Sequence, residues 1–285
     1  MSAPSTVFCK QYQDAITMLS QQLDTRMRGA VLVDTNWTGE EKYYDQYNQD
    51  SMVEITSRYA DTPVQEPDFA RRQVVPSYFV SNTLEDPFEA LAMLIDPKST
   101  YMQAKVAAAN RKIDSVLITA MGGTSKTGKA GGTDTVLPAA SKIAVGAAGL
   151  TKAKLIEAKK KLDAAEVDKT DRYCVCSAEQ MEDLLNTTEV TSADYNTVKT
   201  LVQGELDTWL GFKFLHSEQL AVDGSNDRLC YAFQKKGIQL AIQKEPEGRI
   251  TERPDKNYAW QVYLRMALGA TRLEEVRVIQ IACSE

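Results

Sequence analysis

One histidine in 285 residues excludes a histidine-rich metal centre and leaves a Ser-His-Asp arrangement a single possible pivot, His216. Its neighbour Ser217 would point to the opposite face of a strand, so His216 reads as a surface or packed residue. Acidic pairs such as Glu40 with Glu41 and Glu274 with Glu275 read as surface charge. Five cysteines are an odd number in a long chain, which argues against a disulfide framework and for a reducing compartment. Cys174 and Cys176 share one face of a strand in RYCVCS and read as small core residues. No apolar run approaches the ~20 residues that span a bilayer, and MSAPSTVFCKQYQ lacks the basic and apolar stretches of a secretory signal, so synthesis in the cytosol and no membrane partner are expected. A net charge of −6 and a pI near 5.1 count against tight, sequence-independent binding of nucleic acid, so only weak, non-specific contact is expected. No catalytic residue, metal ligand or cofactor is expected.

Residues 34–83 contain no leucine, although 43% of the whole chain is hydrophobic. They carry Trp37, Tyr43, Tyr44, Tyr47, Tyr59, Phe69, Tyr78 and Phe79 instead. Large aromatic groups without an aliphatic core are the composition of an interface. Within this stretch Met52–Ala60 and Arg72–Val80 read as two strands of a long projecting hairpin, joined by a loop in which Pro63 and Pro67 suit no ladder. Trp37, Tyr43, Tyr44, Tyr47, Arg58, Arg71 and Arg72 are the candidate intersubunit contacts.

From Leu84 the pattern changes. Asp86 and Pro87 open a helix carrying Phe88, Leu91, Ala92 and Ile95. Asp96 and Pro97 open a longer one, roughly 37 Å from Pro97 to Met121 at the usual rise. Its apolar stripe holds Met102, Val106, Ala109, Ile113, Val116, Leu117, Ala120 and Met121, while Lys105, Asn110 and Asp114 lie elsewhere. Gly122–Thr133 reads as a flexible polar loop. Leu155, Ile156, Leu162 and Ala165 mark another helix whose lysines, Lys154 among them, read as a solvated face. Ser177 with Gln180 forms a capping box, and Ser192 caps a helix carrying Tyr195, Val198, Leu201 and Val202. The rest reads as strands: Phe212–Leu215, Leu229–Gln234, Ile238–Gln243, Trp260–Ala267 and Arg277–Ala282, the fourth alternating Trp260, Val262, Leu264 and Met266 with polar residues.

Gly123–Ala130 (GTSKTGKA) approaches a phosphate-binding loop. It has Ala130 where the magnesium-binding hydroxyl belongs and follows a helix instead of a strand, so nucleotide binding is not expected there.

The colinear words DTNWTGEEKYYDQY, RYADTP, RRQVVPSYF, LIDPKSTYMQAKVAAANRKIDSVLITAMGGTSKTG, GLTKAKLIEAKKKLDAAEV, EVTSADYNTVKTLVQGELDTWLGFKFLHSEQL and YAWQVYLRMALGATRLEEVRVIQI resemble the major capsid proteins of tailed bacteriophages over nearly the whole chain. The resemblance implies an α+β fold of the Hong Kong 97 type, with an N-terminal arm (1–38), an extended hairpin loop (39–82), a peripheral domain with a long spine helix (83–134 and 244–285) and an axial domain (135–243). It implies a structural protein, not an enzyme, that assembles with itself as hexamers and pentamers into an icosahedral shell around double-stranded phage DNA. Portal, scaffolding and minor capsid or cement proteins would be its partners, the virion its location, and the bacterial host cytoplasm its site of assembly. The short arm implies that scaffolding is separate or absent. With only Lys42 and no obvious catalytic glutamate in the extended loop, covalent Lys-to-Asn links are not expected. The alternatives are a non-viral compartment shell of the same fold and a nucleotide-binding enzyme using the Gly123 loop.

Overall fold

The computed structural model describes residues 19–59, 61–62, 64–66, 68–85, 98–186 and 208–285. The helices expected at Asp86–Ile95 and after Ser192, and the Asp96–Pro97 cap, lie outside the described residues. The chain divides into two compact units: one takes the described residues of Met1–Asp24, Tyr78–Arg111 and Pro246–Met266, the other Thr25–Ser77, Lys112–Glu245 and Ala267–Glu285.

Besides short 3-10 turns, fourteen strands and three α-helices are formed among the described residues. They are β1 (Leu32–Thr35), β2 (Lys42–Tyr47), β3 (Phe69–Val74), β4 (Ser77–Glu85), α1 (Lys98–Gly122), β5 (Ser125–Thr127), β6 (Thr133–Thr135), β7 (Lys142–Ile143), α2 (Lys152–Ala164), β8 (Arg172–Cys176), α3 (Ala178–Leu185), β9 (Thr208–Trp209), β10 (Phe212–His216), β11 (Asp227–Gln234), β12 (Ile238–Arg253), β13 (Ala259–Arg272) and β14 (Val278–Ser284). The late strands and the capping box that opens α3 stand where the sequence pattern puts them.

In the first unit β12, β13 and β4 lie side by side in that order, against the first half of α1. Val262, Leu264 and Met266 are buried, following the period of two in the sequence. Helix and sheet touch closely at Gly248, where an added Cβ would stand 2.7 Å from the sulfur of Met102. The apolar stripe of α1 needs correction at Val106, which is exposed, and at Lys105, which is buried. The Lys105 ammonium donates to Ser81 Oγ (3.0 Å) and Thr83 Oγ1 (2.8 Å) of β4, and burial lowers its pKa. Along the same helix Asn110 Nδ2 donates to Leu23 O at 2.7 Å, and Arg111 donates to Gln21 and Gln22. A polar helix face is here the berth of an extended segment that cannot satisfy its own backbone groups.

The second unit is built on a mixed six-stranded sheet in the order β7-β14-β11-β8-β10-β9. β8 pairs parallel with β10 and antiparallel with β11, and β14 sits between β11 and β7. Cys174, Cys176, Cys230 and Cys283 are all free and fully buried in this sheet, and burial pushes the Cys176 thiol up to about 12. α2 is capped by Thr151, whose side chain accepts from Lys154 N at 3.4 Å. The lysine face of α2 is only partly solvated. Lys154 is buried, and its ammonium donates to Ala148 O (2.6 Å), Gly149 O (2.8 Å) and Ala282 O (2.9 Å), tying the helix to its entry loop and to β14. In the second half of α1, Asp114 is also fully buried and accepts from the backbone N–H groups of Arg26 (3.0 Å) and Met27 (3.3 Å). β1 runs parallel to β12, with Leu32 opposite Gln239 and Thr35 opposite Ile242.

The hairpin differs from the expected one. β3 pairs antiparallel with β2, and Met52–Ile55 form no strand. Lys42–Tyr47 can turn one side onto Trp37, Val74 and Ala241, whereas Met52, Val53 and Ile55 lie exposed. The run Arg72–Val80 is divided into β3 and β4 at Val75 and Pro76, since proline has no N–H for a ladder. The segment Gly122–Thr133 is not a free loop: β5 extends the ribbon by pairing with β3, and β6 pairs with β5, giving the order β2-β3-β5-β6. Gly128 and Gly131 form the turn between them at φ +89° and +66°, conformations that favour glycine, and an added Cβ at Gly131 would overlap the amide of Gln73.

Candidate assembly surface

The ribbon has two faces because successive side chains of a strand alternate. Lys42, Tyr44 and Gln46 of β2 stand opposite Val74, Arg72 and Ala70 of β3, and between them lie the opposed pairs Tyr43–Gln73, Asp45–Arg71 and Tyr47–Phe69.

The even-numbered face packs on the chain itself. Tyr44 lies against the cluster of Trp37, Val74 and Ala241, and its hydroxyl donates to Asp34 Oδ2 at 3.1 Å. Burial, reinforced by the Asp34 charge, holds that phenol well above its usual range. The Lys42 ammonium pairs with Asp34 and lies 5.8 Å from the Trp37 ring centre and 5.6 Å from that of Tyr44. Gln46 Nε2 donates to Leu273 O at 2.9 Å, and Arg72 is buried with its Nη2 donating to Glu275 Oε2 at 2.7 Å. Of the candidate contacts, Trp37, Tyr44 and Arg72 therefore already have partners within the chain. Glu275, read from the sequence as surface charge, is one of those partners.

The odd-numbered face is open to solvent except at Gln73, which is buried beside Gly131. Arg71 Nε donates to Asp45 Oδ1 at 2.5 Å, and its guanidinium lies 5.4 Å from the ring centre of Tyr43. The Arg71 hydrogen bond holds the Asp45 carboxyl below the usual range. Tyr43 donates to Glu41 Oε2 at 2.6 Å, which raises its pKa. Tyr47 and Phe69, 55% and 68% exposed, stand at the end of this face. Beyond them Met52, Val53, Ile55 and Val64 are exposed, and Tyr59 projects at 93% exposure from a left-handed backbone with Arg58 5.6 Å from its ring centre. The structure thus gathers Tyr43, Tyr47 and Arg71 on one exposed face and carries Arg58 on the adjoining loop. Sequence reasoning missed Phe69 and Tyr59 as members of this set, although their aromatic character beside a proline-interrupted loop was the available signal.

The remaining candidate chemistry is absorbed by structure. Gly123–Ala130 enters the β5–β6 hairpin, where Lys126 pairs with Asp134 at 2.6 Å, so a strand follows the turn where a phosphate loop needs a helix. His216 Nε2 lies 2.8 Å from Glu218 Oε1, its carbonyl accepts from Arg26 Nη1 at 2.7 Å, and Ser217 is buried. Among the described residues no group of three or more His, Cys, Asp or Glu side chains is placed to hold a metal, and no helix is long and apolar enough to cross a membrane.

The fold is that of phage capsid proteins. Solved capsids with the same arrangement include that of the cyanophage P-SCSP1u, at TM-score 0.77 and 16% identity over 98% of this chain and 94% of that one. The cyanophage Pam1 capsid matches at TM-score 0.77 and 12% identity over 99% and 98%, and the head of Helicobacter pylori bacteriophage KHP40 at 0.75 and 9% over 98% and 97%. At such identities these likenesses speak for the fold, of the α+β Hong Kong 97 type. The sequence itself matches the family model for phage capsid protein over residues 5–285, and the chain belongs to that family. It is a phage capsid protein, a structural protein of the shell. A search of curated proteins finds no match.

Proposed function

We propose that copies of this chain assemble as pentamers and hexamers into an icosahedral shell that encloses double-stranded phage DNA, and that the outer face of β2–β3 with its loop is the principal adhesive between neighbours. The observation that carries this reading is the concentration of large apolar groups in solvent at Tyr47, Met52, Ile55, Tyr59, Val64 and Phe69. Such a patch on a projecting element needs a partner to cover it. The arm (1–38), extended loop (39–82), peripheral domain (83–134 and 244–285) and axial domain (135–243) are the working parts in this reading. The acidic chain touches the packaged DNA weakly and without sequence preference. Portal, scaffolding and cement proteins complete the particle in the host cytoplasm, and no reaction is required of the chain. Arg58 and Arg71 supply guanidinium groups at the rim that can pair with carboxylates of a neighbour.

Electron microscopy of the purified protein tests the reading. Rings or closed shells of uniform size are expected. A monodisperse monomer at micromolar concentration, with the ribbon protected from proteolysis, would overturn it.

A further inference from the structure

Arg272 ends β13 and is fully buried, an arrangement that is costly for a guanidinium unless its charge is matched. Its Nη1 donates to Met121 O and Gly123 O, both at 2.9 Å, and its Nη2 to Thr135 O of β6 at 3.1 Å. Met121 and Gly123 stand at the C-terminal end of α1, where helix carbonyls carry partial negative charge. Glu275 adds a carboxylate at ion-pair distance, with Oε1 3.7 Å from Arg272 Nε and beyond hydrogen-bond reach. Its other oxygen, Oε2, receives Arg72 Nη2 at 2.7 Å.

One carboxylate is therefore shared between two guanidinium groups with different attachments. Arg272 is fixed to the end of the spine helix and to β6. Arg72 is carried by β3, opposite Tyr44, on the inner face of the ribbon. Other ties on that face are the Lys42–Asp34 pair, Gln46 to Leu273 O, the packing of Tyr44 and Val74 on Trp37 and Ala241, and the close approach of Val74 to Gly269. None of these side-chain ties reaches the end of α1, which the ribbon otherwise meets through the backbone pairing of β3 with β5.

We propose that Glu275 is a positioning residue: held by Arg272, it receives Arg72 and so sets the pose in which the β2–β3 ribbon leaves the end of the spine helix. Its relevance to shell formation rests on the reading of the ribbon as the adhesive element. The pose itself can be measured without a shell.

Hydrogen exchange on the full chain tests the proposal in Glu275→Gln, Arg72→Met and the double variant, with sedimentation fixing the same assembly state throughout. Each single change should speed exchange in β2, β3, β5 and β6 about tenfold and leave β8 and β11 unchanged, since local opening reports local contacts. The double variant should exchange no faster than either single one, because both remove the same link. Glu275→Asp, which keeps the charge, should recover part of the protection. Wild-type exchange in Glu275→Gln, an increase spread equally over β8 and β11, or additive effects in the double variant would overturn it. If exchange behaves as expected while wild-type protein forms no particles, the positioning role stands and the assembly reading falls.

Discussion

Tyr47 and Phe69 meet edge to face across β2 and β3, ring centroids 5.5 Å apart and planes at 73°, and each leaves more than half of its surface in solvent. A buried aromatic pair of this geometry would be core. An exposed one is, under the proposed assembly reading, a contact already arranged for a partner.

Replacing both rings by alanine should remove roughly 0.5–1.5 kcal/mol of pair energy from the subunit, too little to unfold a domain of this size. Circular dichroism should stay native while sedimentation shows loss of particles. Tyr44→Ala should do the reverse, lowering the melting temperature through lost packing on Trp37 and Val74 and the lost bond to Asp34. Undiminished particle yield in the Tyr47→Ala, Phe69→Ala variant would show that the outer face is not the adhesive.

Ile113 is fully buried in α1. Ile113→Asp puts an unpaired carboxylate into that packing and should cost more than ~3 kcal/mol, enough to abolish the cooperative melt. A native circular dichroism spectrum from this variant would contradict the placement of that helix face.

Tyr231 is buried beside α1, and burial pushes its phenol from 10.0 up to about 12. Below pH 10 both folded and unfolded chains keep the proton. Between 10 and about 12 only the unfolded chain releases it, so stability should fall as pH rises, by ~1.4 kcal/mol per unit at most. Urea unfolding across this range should show a steeper loss in wild type than in Tyr231→Phe. Equal slopes would remove Tyr231 as the cause.

Gly122 closes α1 against the same ring, where an added Cβ would stand 2.3 Å from the Tyr231 hydroxyl oxygen. Alanine ordinarily gains ~1 kcal/mol over glycine in a helix, but overpacking a core costs ~1–3 kcal/mol. Gly122→Ala should therefore destabilise wild type and cost markedly less in Tyr231→Phe, where the hydroxyl is gone and a ring carbon at 3.2 Å is the nearest contact left. Thermal melts of the four combinations decide it, and an equal cost in both backgrounds would exclude this contact as the reason for glycine.

What the sequence made legible was set by short-range periodicity. The alternation of Val262, Leu264 and Met266 and the Ser177–Gln180 box each depend on neighbours in the chain, and both stand as read. The pairing of β2 with β3 depended on which strand could find Trp37 and Ala241, a matter of distant residues, and Met52–Ala60 offered an equally plausible pattern. Lys105, Asp114, Lys154 and Arg272 were illegible for a related reason. A charge in a helix or strand reads as solvent-facing until one sees the hydroxyls, backbone N–H groups or carbonyls that satisfy it. Aromatic composition marked a stretch that is exposed on one side, but face assignment needed the register: Tyr43 and Tyr44 are adjacent in sequence and point to opposite sides.

That register makes the ribbon intolerant of a particular kind of change. Deleting a single residue within Lys42–Tyr47 would rotate every following side chain by half a turn, carrying Tyr44-type positions into solvent and Tyr47-type positions onto Trp37. Internal packing and outward display would be exchanged in one event, with no intermediate in which either is spared. Insertions and deletions should accumulate instead among residues 48–68, where length changes leave the alternation on both strands intact, so related shells can differ in the reach of this loop while the strands that carry it keep their count.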